Sequence, residues 1–284
     1  MRRARRAIGL GSLGACVIAC GAGAMAWTGE ARAPSAATRA GDAKGGADQA
    51  KAAPAAPIEI GDREGWRGGC PPDMASIDGR YCVDRFEASL REILPNGEER
   101  PWSPFLPVGR ARIVRAVSER GAMPQAYVSE QQAGDACRRA GKRLCTAAEW
   151  TAACMGPSRT RYPYGDVNEP GRCNDDGRSP VVATWGFKKS TFTWDKMNAP
   201  FLNQMDDTLS RAGDRQGCTN GYGVYDMVGN LHEWVEDAKG TFYGGYYQDT
   251  HQHGDGCAYK TTAHSVTYHD YSTGFRCCAG ASAP

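Results

Sequence analysis

The sequence has almost no excess of charge of either sign, with 34 Lys and Arg residues against 32 Asp and Glu residues and a net charge of +2. Nucleic-acid-binding domains need a concentrated basic surface, so this balance excludes nucleic acid as the partner. The chain also lacks CxxC pairs, and no histidine stands at zinc-finger spacing from a cysteine. Both absences argue against a structural zinc site.

Cysteine, by contrast, is abundant and indicates the compartment. Two of the twelve cysteines, Cys16 and Cys20, lie near the N-terminus, and an even ten follow. An even number suits a disulfide framework, and disulfides persist in oxidising compartments. We therefore expect an exported domain, either in a bacterial cell envelope (periplasm or outer membrane) or secreted.

The first 27 residues have the pattern of an export leader, in which four arginines precede an apolar run over residues 7–27. Two tetrapeptides in this run end in Cys16 and Cys20 and resemble the bacterial lipobox, whose cysteine is lipidated after cleavage. Cys20 has the longer apolar stretch before it and is the preferred lipidation site, with Cys16 second. Ordinary signal cleavage and an uncleaved membrane anchor are the alternatives.

Residues 28–65 are predicted to be a flexible linker. They are rich in Ala, Gly and Pro, and no aromatic residue occurs between Trp27 and Trp66. Such a segment buries too little apolar surface to offset its chain entropy. The folded domain is therefore expected over residues 66–284.

Short-range signals predict a few regular elements in this domain. Asp78-Gly79 is a hairpin turn signal, and the flanking Cys70 and Cys82 could pair across it. Residues 129–132 and 146–149 are two capping boxes, each of which opens a helix. No long amphipathic period follows the second helix, and the 36 glycines indicate many turns.

Five motifs in order resemble the formylglycine-generating enzymes, also called sulfatase-modifying factors. They are GKRLCTAAEW at 141–150, YPYGD at 162–166 with Cys173-Asn174 after it, GYGVYDMVGNLHEW at 221–234, the Gly244-Gly245 pair, and GFRC at 274–277. The resemblance covers roughly residues 70–278. It implies an α+β domain with little regular secondary structure, stapled by disulfides and related to the C-type-lectin-like fold.

The family oxidises a sulfatase cysteine to formylglycine with O2 and a Cu(I) ion held by two thiolates. At the matching positions this chain has Tyr247 and Gln252, and Tyr246 and His232 replace residues that line the family's pocket. The resemblance thus implies no catalytic cysteine pair, so copper or iron is not expected. We expect a module that binds a peptide, glycan or protein ligand, and the tyrosines around Tyr243 favour a groove.

The alternative is an oxidoreductase with a histidine-based metal centre. His251 and His253 lie near the positions of the missing thiols, where a strand would place both imidazoles on one face. The competing interpretation makes the histidines of this stretch structural or solvated. His264 and His269 occur in segments with the pattern of core strands.

The resemblance also implies bound calcium. The first set consists of the Asp226 and Glu233 side chains with carbonyl oxygens of Val228, Gly229 and Leu231. The second set pairs the Asn174 side chain with the Asp175 carbonyl, completed by a distal carboxylate from Asp206 or Asp207.

The resemblance finally implies two disulfides, Cys137–Cys277 and Cys154–Cys257. Cys145 and Cys278 suggest a third bridge close to these two. Cys173 and Cys218 then remain to pair with each other. If all ten cysteines pair, no thiol remains for catalysis.

Overall fold

The computed structural model describes Arg67 and residues 69–282. The expected leader over 1–27, with Cys16 and Cys20, and the linker over 28–65 lie outside the described residues.

Eleven strands and four α-helices form in the described part. The strands are Met74–Ile77 (β1), Tyr81–Asp84 (β2), Ala88–Ile93 (β3), Glu99–Pro101 (β4), Val114–Ser118 (β5), Arg143–Leu144 (β6), His232–Trp234 (β7), Phe242–Tyr243 (β8), Lys260–Thr261 (β9), Thr273–Phe275 (β10) and Cys277–Gly280 (β11). The helices are Glu130–Arg139 (α1), Ala147–Met155 (α2), Pro180–Trp185 (α3) and Trp194–Met197 (α4), with 3₁₀ turns at Lys189–Thr191, Leu202–Gln204 and Gly256–Ala258.

The strands form three small sheets with the orders β1-β2-β11-β6, β10-β7-β8-β9 and β4-β3-β5. The last strand, β11, lies between β2 and β6, where Cys278 is in register with Val83 and with Arg143. The preceding β10 runs parallel to β7, with Thr273 opposite His232. The C-terminal segment therefore joins two of the sheets, and the fold is α+β with little regular structure, as expected.

Both predicted capping boxes are present. In α1 the Ser129 hydroxyl accepts from the backbone N–H of Gln132, whose side chain accepts from the N–H of Ser129. Thr146 and Glu149 make the same pair of bonds at the start of α2. These bonds satisfy backbone donors that have no partner within the helix, which explains why both helices begin where the sequence indicated. None of the described helices is both long enough and apolar enough to cross a bilayer.

The ten cysteines of the described part form five disulfides, and the pairs agree with those that the sequence suggested. They are Cys70–Cys82, Cys137–Cys277, Cys145–Cys278, Cys154–Cys257 and Cys173–Cys218. Three of them tie α1, the residue directly after β6, and α2 to the stretch from residue 257 onward, and they close loops of more than 100 residues. Cross-links over such long loops restrict the unfolded chain strongly.

Candidate functional site

A buried ion pair lies where α2, β7 and the C-terminal segment meet. Glu233 and Arg276 have side chains with no exposed surface, and their bidentate contact has N–O distances of 2.6 and 2.7 Å. The Trp150 indole donates to the same carboxylate at 2.6 Å. Arg276 donates further to the carbonyls of Asp84 and Tyr225. Both charges are thus fully hydrogen-bonded, which is what makes their burial tolerable.

Two more buried carboxylates face this pair. Asp226 accepts from the backbone N–H of Gly213 at 2.6 Å, and burial together with Glu233 raises its pKa to about 7. Glu87 accepts from the Leu231 N–H at 3.2 Å and from the Asn230 side chain. Burial, and then the charges of Asp226 and Glu233, raise the pKa of Glu87 well above its ordinary value. Glu87 was not predicted from the sequence. It lies in the loop between β2 and β3, where no local pattern distinguishes a functional acidic residue from any other.

The first expected calcium set supplies two acidic side chains, but the carboxylate of Glu233 is already engaged by other groups. Ionising three buried acids beside one arginine is unfavourable, which is why the pKa values of Glu87 and Asp226 are raised, and a divalent cation would favour their ionised forms. However, both oxygens of Glu233 already accept from Arg276 and one also accepts from Trp150. Among the described residues, no group of three or more His, Cys, Asp or Glu side chains is arranged to hold a metal.

The turn that carries this set is held by close backbone contacts. Asp226 and Asn230 have positive φ values of +57° and +58°, a conformation that Asp and Asn tolerate better than most residues. Between them, Gly229 has φ +78°, and a Cβ atom there would lie 2.2 Å from the Asn174 carbonyl oxygen. Only glycine fits at this position, so the turn and Asn174 are locked together.

In the second expected set, Asn174 has a structural role. Its buried side-chain amide donates to the Thr208 carbonyl at 2.9 Å and to the Asn230 side-chain oxygen at 2.8 Å. The neighbouring Asp175 accepts from the Gly171 N–H through one oxygen, and its other oxygen is buried without a hydrogen-bond partner. Burial raises the pKa of Asp175. The proposed distal carboxylates, Asp206 and Asp207, are both exposed.

The positions matched to the family's thiolates have different environments. Tyr247 is fully buried, and its hydroxyl donates to the Asn203 side chain at 3.0 Å. Gln252 is exposed in a loop, with its N–H bonded to Asp249. Since every cysteine of residues 69–282 belongs to a disulfide, this part of the chain has no free thiol.

The expectation that His251 and His253 lie on a strand is wrong. They occupy an exposed loop in which one Asp249 oxygen accepts from the backbone N–H groups of both His251 and Gln252, at 2.9 and 3.0 Å. A side chain that accepts from two successive backbone N–H groups in this way takes the place of the hydrogen bonds that a neighbouring strand would make. His251 contacts Asp255 and Asn168, whereas the His253 ring packs edge-on to Tyr259.

The predicted core strands around His264 and His269 are also absent, apart from β9. Residues 268–271 form an irregular segment, because the Asp270 carboxylate accepts from Tyr268, from the Ser272 hydroxyl and from the Ser272 N–H. The strand that was expected here begins only at Thr273. The Nδ1–H of His269 donates to the side-chain oxygen of Asn198 at 2.7 Å.

The tyrosines expected to line a groove belong largely to the core. Tyr243 and Tyr247 are buried, and Tyr247 packs against Tyr246 and Tyr271. His232 is buried beside them, with Nδ1 3.2 Å from the Ser272 hydroxyl oxygen. Burial, followed by the nearby His264 and His253, lowers the pKa of His232 to about 3, so its imidazole is neutral at pH 7. Rings that pack edge-on or tilted against one another thus fill the place where the tyrosines were expected to line a groove.

Comparison with known proteins shows which family the chain resembles. A family model described as the sulfatase-modifying factor enzyme 1-like domain matches residues 102–280. The formylglycine-generating enzyme of Streptomyces coelicolor is 34% identical over 170 residues, which are 56% of this chain and 47% of that protein. The mouse protein named inactive C-alpha-formylglycine-generating enzyme 2 is 32% identical over 123 residues, 42% of this chain and 33% of that one.

Among solved structures, CarF is 24% identical, with a TM-score of 0.31 over 49% of this chain and 47% of its own. The alignments with the curated relatives thus span about half of their length or less. The family model, in contrast, covers well over half of this chain, from just after β4 to the end of β11. The chain therefore belongs to the family of the sulfatase-modifying factor enzyme 1-like domain.

Proposed function

We propose that this chain is a member of the family that does not oxidise cysteine and instead acts as an exported ligand-binding module. The observation that carries the proposal is that no free cysteine thiol is found in the described part of the chain. All ten cysteines of the described part are in disulfides, and the buried Tyr247 occupies one of the two positions that match the family's thiolates. A Cu(I) site needs exposed, ionisable thiols, and none is present there.

Two further observations support this proposal. A relative in the mouse carries the word inactive in its name, so the family includes proteins described as non-catalytic. The histidine-based alternative gains no support from the geometry, because His251 and His253 lie exposed in a loop and His251 is engaged by Asp255. The C-type-lectin-like relation of the fold belongs to the proposal as well.

The test is oxidation of a sulfatase-motif peptide, Cys-x-Pro-x-Arg, by the full-length chain with O2 and copper. Conversion of the peptide thiol to an aldehyde is read by mass spectrometry, and the Streptomyces coelicolor relative serves as the positive control. We expect no conversion above the peptide alone. Robust turnover would refute the proposal, and its loss in a His251→Ala, His253→Ala double variant would identify a histidine-based centre.

Calcium binding is part of the proposal because of the charge around Asp226. Glu87, Asp226 and Glu233 outnumber Arg276, and a cation beside Asp226 would favour the ionised form of the acids whose pKa values are raised. The carbonyl oxygens of the 228–231 turn are the further ligands that the resemblance implies. Because binding to the folded state raises its stability, a chelator should lower the melting temperature of the wild type but not of Asp226→Asn. If the chelator shifts neither protein, calcium does not belong to this site.

Export and tethering are likewise proposed, from the five disulfides and from the sequence of the leader. Disulfides of this number persist outside the reducing cytosol. A lipid on Cys20 would hold the domain at a membrane through the linker over residues 28–65.

A further inference from the structure

A groove of about 720 Å³ lies along α1. One wall is the loop before β5, which the Gln132 side chain anchors through a 2.7 Å bond to the Val108 carbonyl. The opposite wall is formed by Trp194 and the segment around His269, and this segment is tied to α1 by the Gln131 N–H bond to the Val266 carbonyl at 3.1 Å. Both walls are thus fixed to the helix that forms the floor.

The groove has an excess of positive charge. Its lining contains three arginines and a single acid, Asp135, which is already paired with Arg138 at 2.5 Å. Arg112 is bonded to Glu92 at 2.6 Å. Arg110 and Arg139 are exposed, and neither guanidinium makes a hydrogen bond or an ion pair with another described residue. Two unpaired guanidinium groups on one cavity are suited to bind carboxylate or sulfate groups bidentately.

An aromatic platform stands at the same groove. The Trp194 side chain is 50% exposed, and its ring packs edge-on against His269 at 4.7 Å and Tyr268 at 5.9 Å. The Asn198 side chain donates to the Trp194 carbonyl at 3.0 Å and contacts His269, so the orientation of this segment is set before any ligand arrives. An exposed indole face packs against the C–H face of a sugar ring, while the exposed Gln131 side chain offers a partner for hydroxyl groups.

From these features we infer that the groove along α1 binds an anionic oligosaccharide, with one sugar ring on Trp194 and its acidic groups on Arg110 and Arg139. The inference names the ligand class of the binding module proposed above and rests on that proposal. A peptide is the less suitable occupant, because the lining offers one exposed aromatic face among polar side chains rather than apolar pockets for side chains.

The test is isothermal titration of the full-length chain with tetragalacturonate at low ionic strength. Two probes separate the contributions: the methyl-esterified tetrasaccharide keeps the sugar rings without charge, and tetraglutamate keeps the charge without sugar rings. We expect binding of tetragalacturonate that weakens as salt rises, and at least about 10-fold weaker binding of either control probe. No binding of tetragalacturonate, or equal binding of a control probe, would overturn the inference.

Variants then locate the site. Arg110→Gln with Arg139→Gln, and separately Trp194→Ala, should each weaken binding by about 10-fold or more. Arg80→Gln on the β1–β2 turn and Phe187→Ala, both at exposed side chains outside the groove lining, should leave it unchanged. Unchanged binding in the double arginine variant would place the ligand elsewhere. Peptide oxidation is measured separately, so failure of the saccharide to bind is distinguishable from failure of the proposed function.

Discussion

The buried Glu233–Arg276 pair allows a sharp prediction about stability. The substitution Glu233→Gln removes the charge that neutralises Arg276 but keeps the shape of the side chain. The guanidinium then stays buried, with bonds to the carbonyls of Asp84 and Tyr225 but without its bidentate anion. Breaking a buried pair by removing one partner costs about 3–5 kcal/mol of unfolding free energy.

An exposed pair of the same geometry provides the matched control. Glu99 and Arg115 also make a bidentate contact, at 2.6 and 2.7 Å, but their side chains are 28% and 31% exposed. Exposed pairs contribute about 0.2–1 kcal/mol. Glu99→Gln should therefore have a small effect, and the difference between the two variants isolates the contribution of burial.

The assay is guanidinium chloride unfolding of the full-length chain with its disulfides intact. For a domain of this size, Glu233→Gln should also lower the melting temperature by on the order of 10 °C. Arg276→Met should lose at least as much stability, because Glu87, Asp226 and Glu233 would then face one another without a cation. The double variant should lose less than the sum of the two single variants.

Running each series with calcium and with a chelator distinguishes two roles of Glu233. If Arg276 is its partner, the loss in Glu233→Gln is the same in both conditions. A loss that occurs only with calcium would make Glu233 a metal ligand and refute the reasoning from the ion pair. A loss no larger than that of Glu99→Gln would refute it as well.

Three further predictions concern other parts of the chain. Burial lowers the pKa of His232 to about 3, whereas a histidine of the unfolded chain titrates near pH ~6.5, so between these values the folded protein binds fewer protons than the unfolded chain. The contribution of the neutral His232 to the unfolding free energy is therefore fully present above pH ~6.5 and is lost as the pH falls toward 3. Urea unfolding should thus show a steeper loss on acidification for the wild type than for His232→Gln, and parallel curves would contradict the burial of a neutral imidazole. The Cys154–Cys257 bridge closes a loop over 103 residues, so Cys154→Ser with Cys257→Ser should cost about 4–5 kcal/mol, and thiol titration of the unreduced wild type should find none of the ten cysteines reactive. Cys20→Ala should release the chain from the membrane fraction of a bacterial host or block its maturation, whereas retention of the Cys16→Ala, Cys20→Ala double variant would indicate an uncleaved anchor.

Features with local causes could be predicted from the sequence. The two capping boxes act over three residues, and the Asp78-Gly79 turn joins β1 and β2 directly. The pairs Cys137–Cys277 and Cys154–Cys257 were accessible in a different way, because the resemblance to the family implies them. In each case the information lies within a short segment or within a motif, and the structure agrees with it.

The parts that could not be predicted depend on distant partners. Glu233 meets Arg276 across 43 positions, and Glu87 meets Asn230 across 143. No periodicity reports such a contact, so the acidic excess around Asp226 becomes visible only in three dimensions. The loop at His251 was mispredicted for a related reason: the Asp249 side chain competes with the strand ladder for the backbone N–H groups, and a pattern of alternating residues does not reveal that competition.

The same long-range contacts prepare the groove for binding. Cys137 on α1 is bonded to Cys277 on β11, so the floor of the groove is cross-linked to the sheet that contains the first hairpin. The hydrogen bonds from Gln131 and Gln132 then fix both walls to that floor. A site whose backbone is held in place before binding loses less conformational entropy when it takes up a ligand. Its affinity for the ligand is correspondingly higher. Loss of the Cys137–Cys277 bridge should therefore weaken saccharide binding before the chain unfolds. The groove depends on this bridge, whereas the fold is still held by the four other disulfides. Equal affinity of a folded Cys137→Ser, Cys277→Ser variant and of the wild type for tetragalacturonate would show that the two hydrogen bonds alone position the walls.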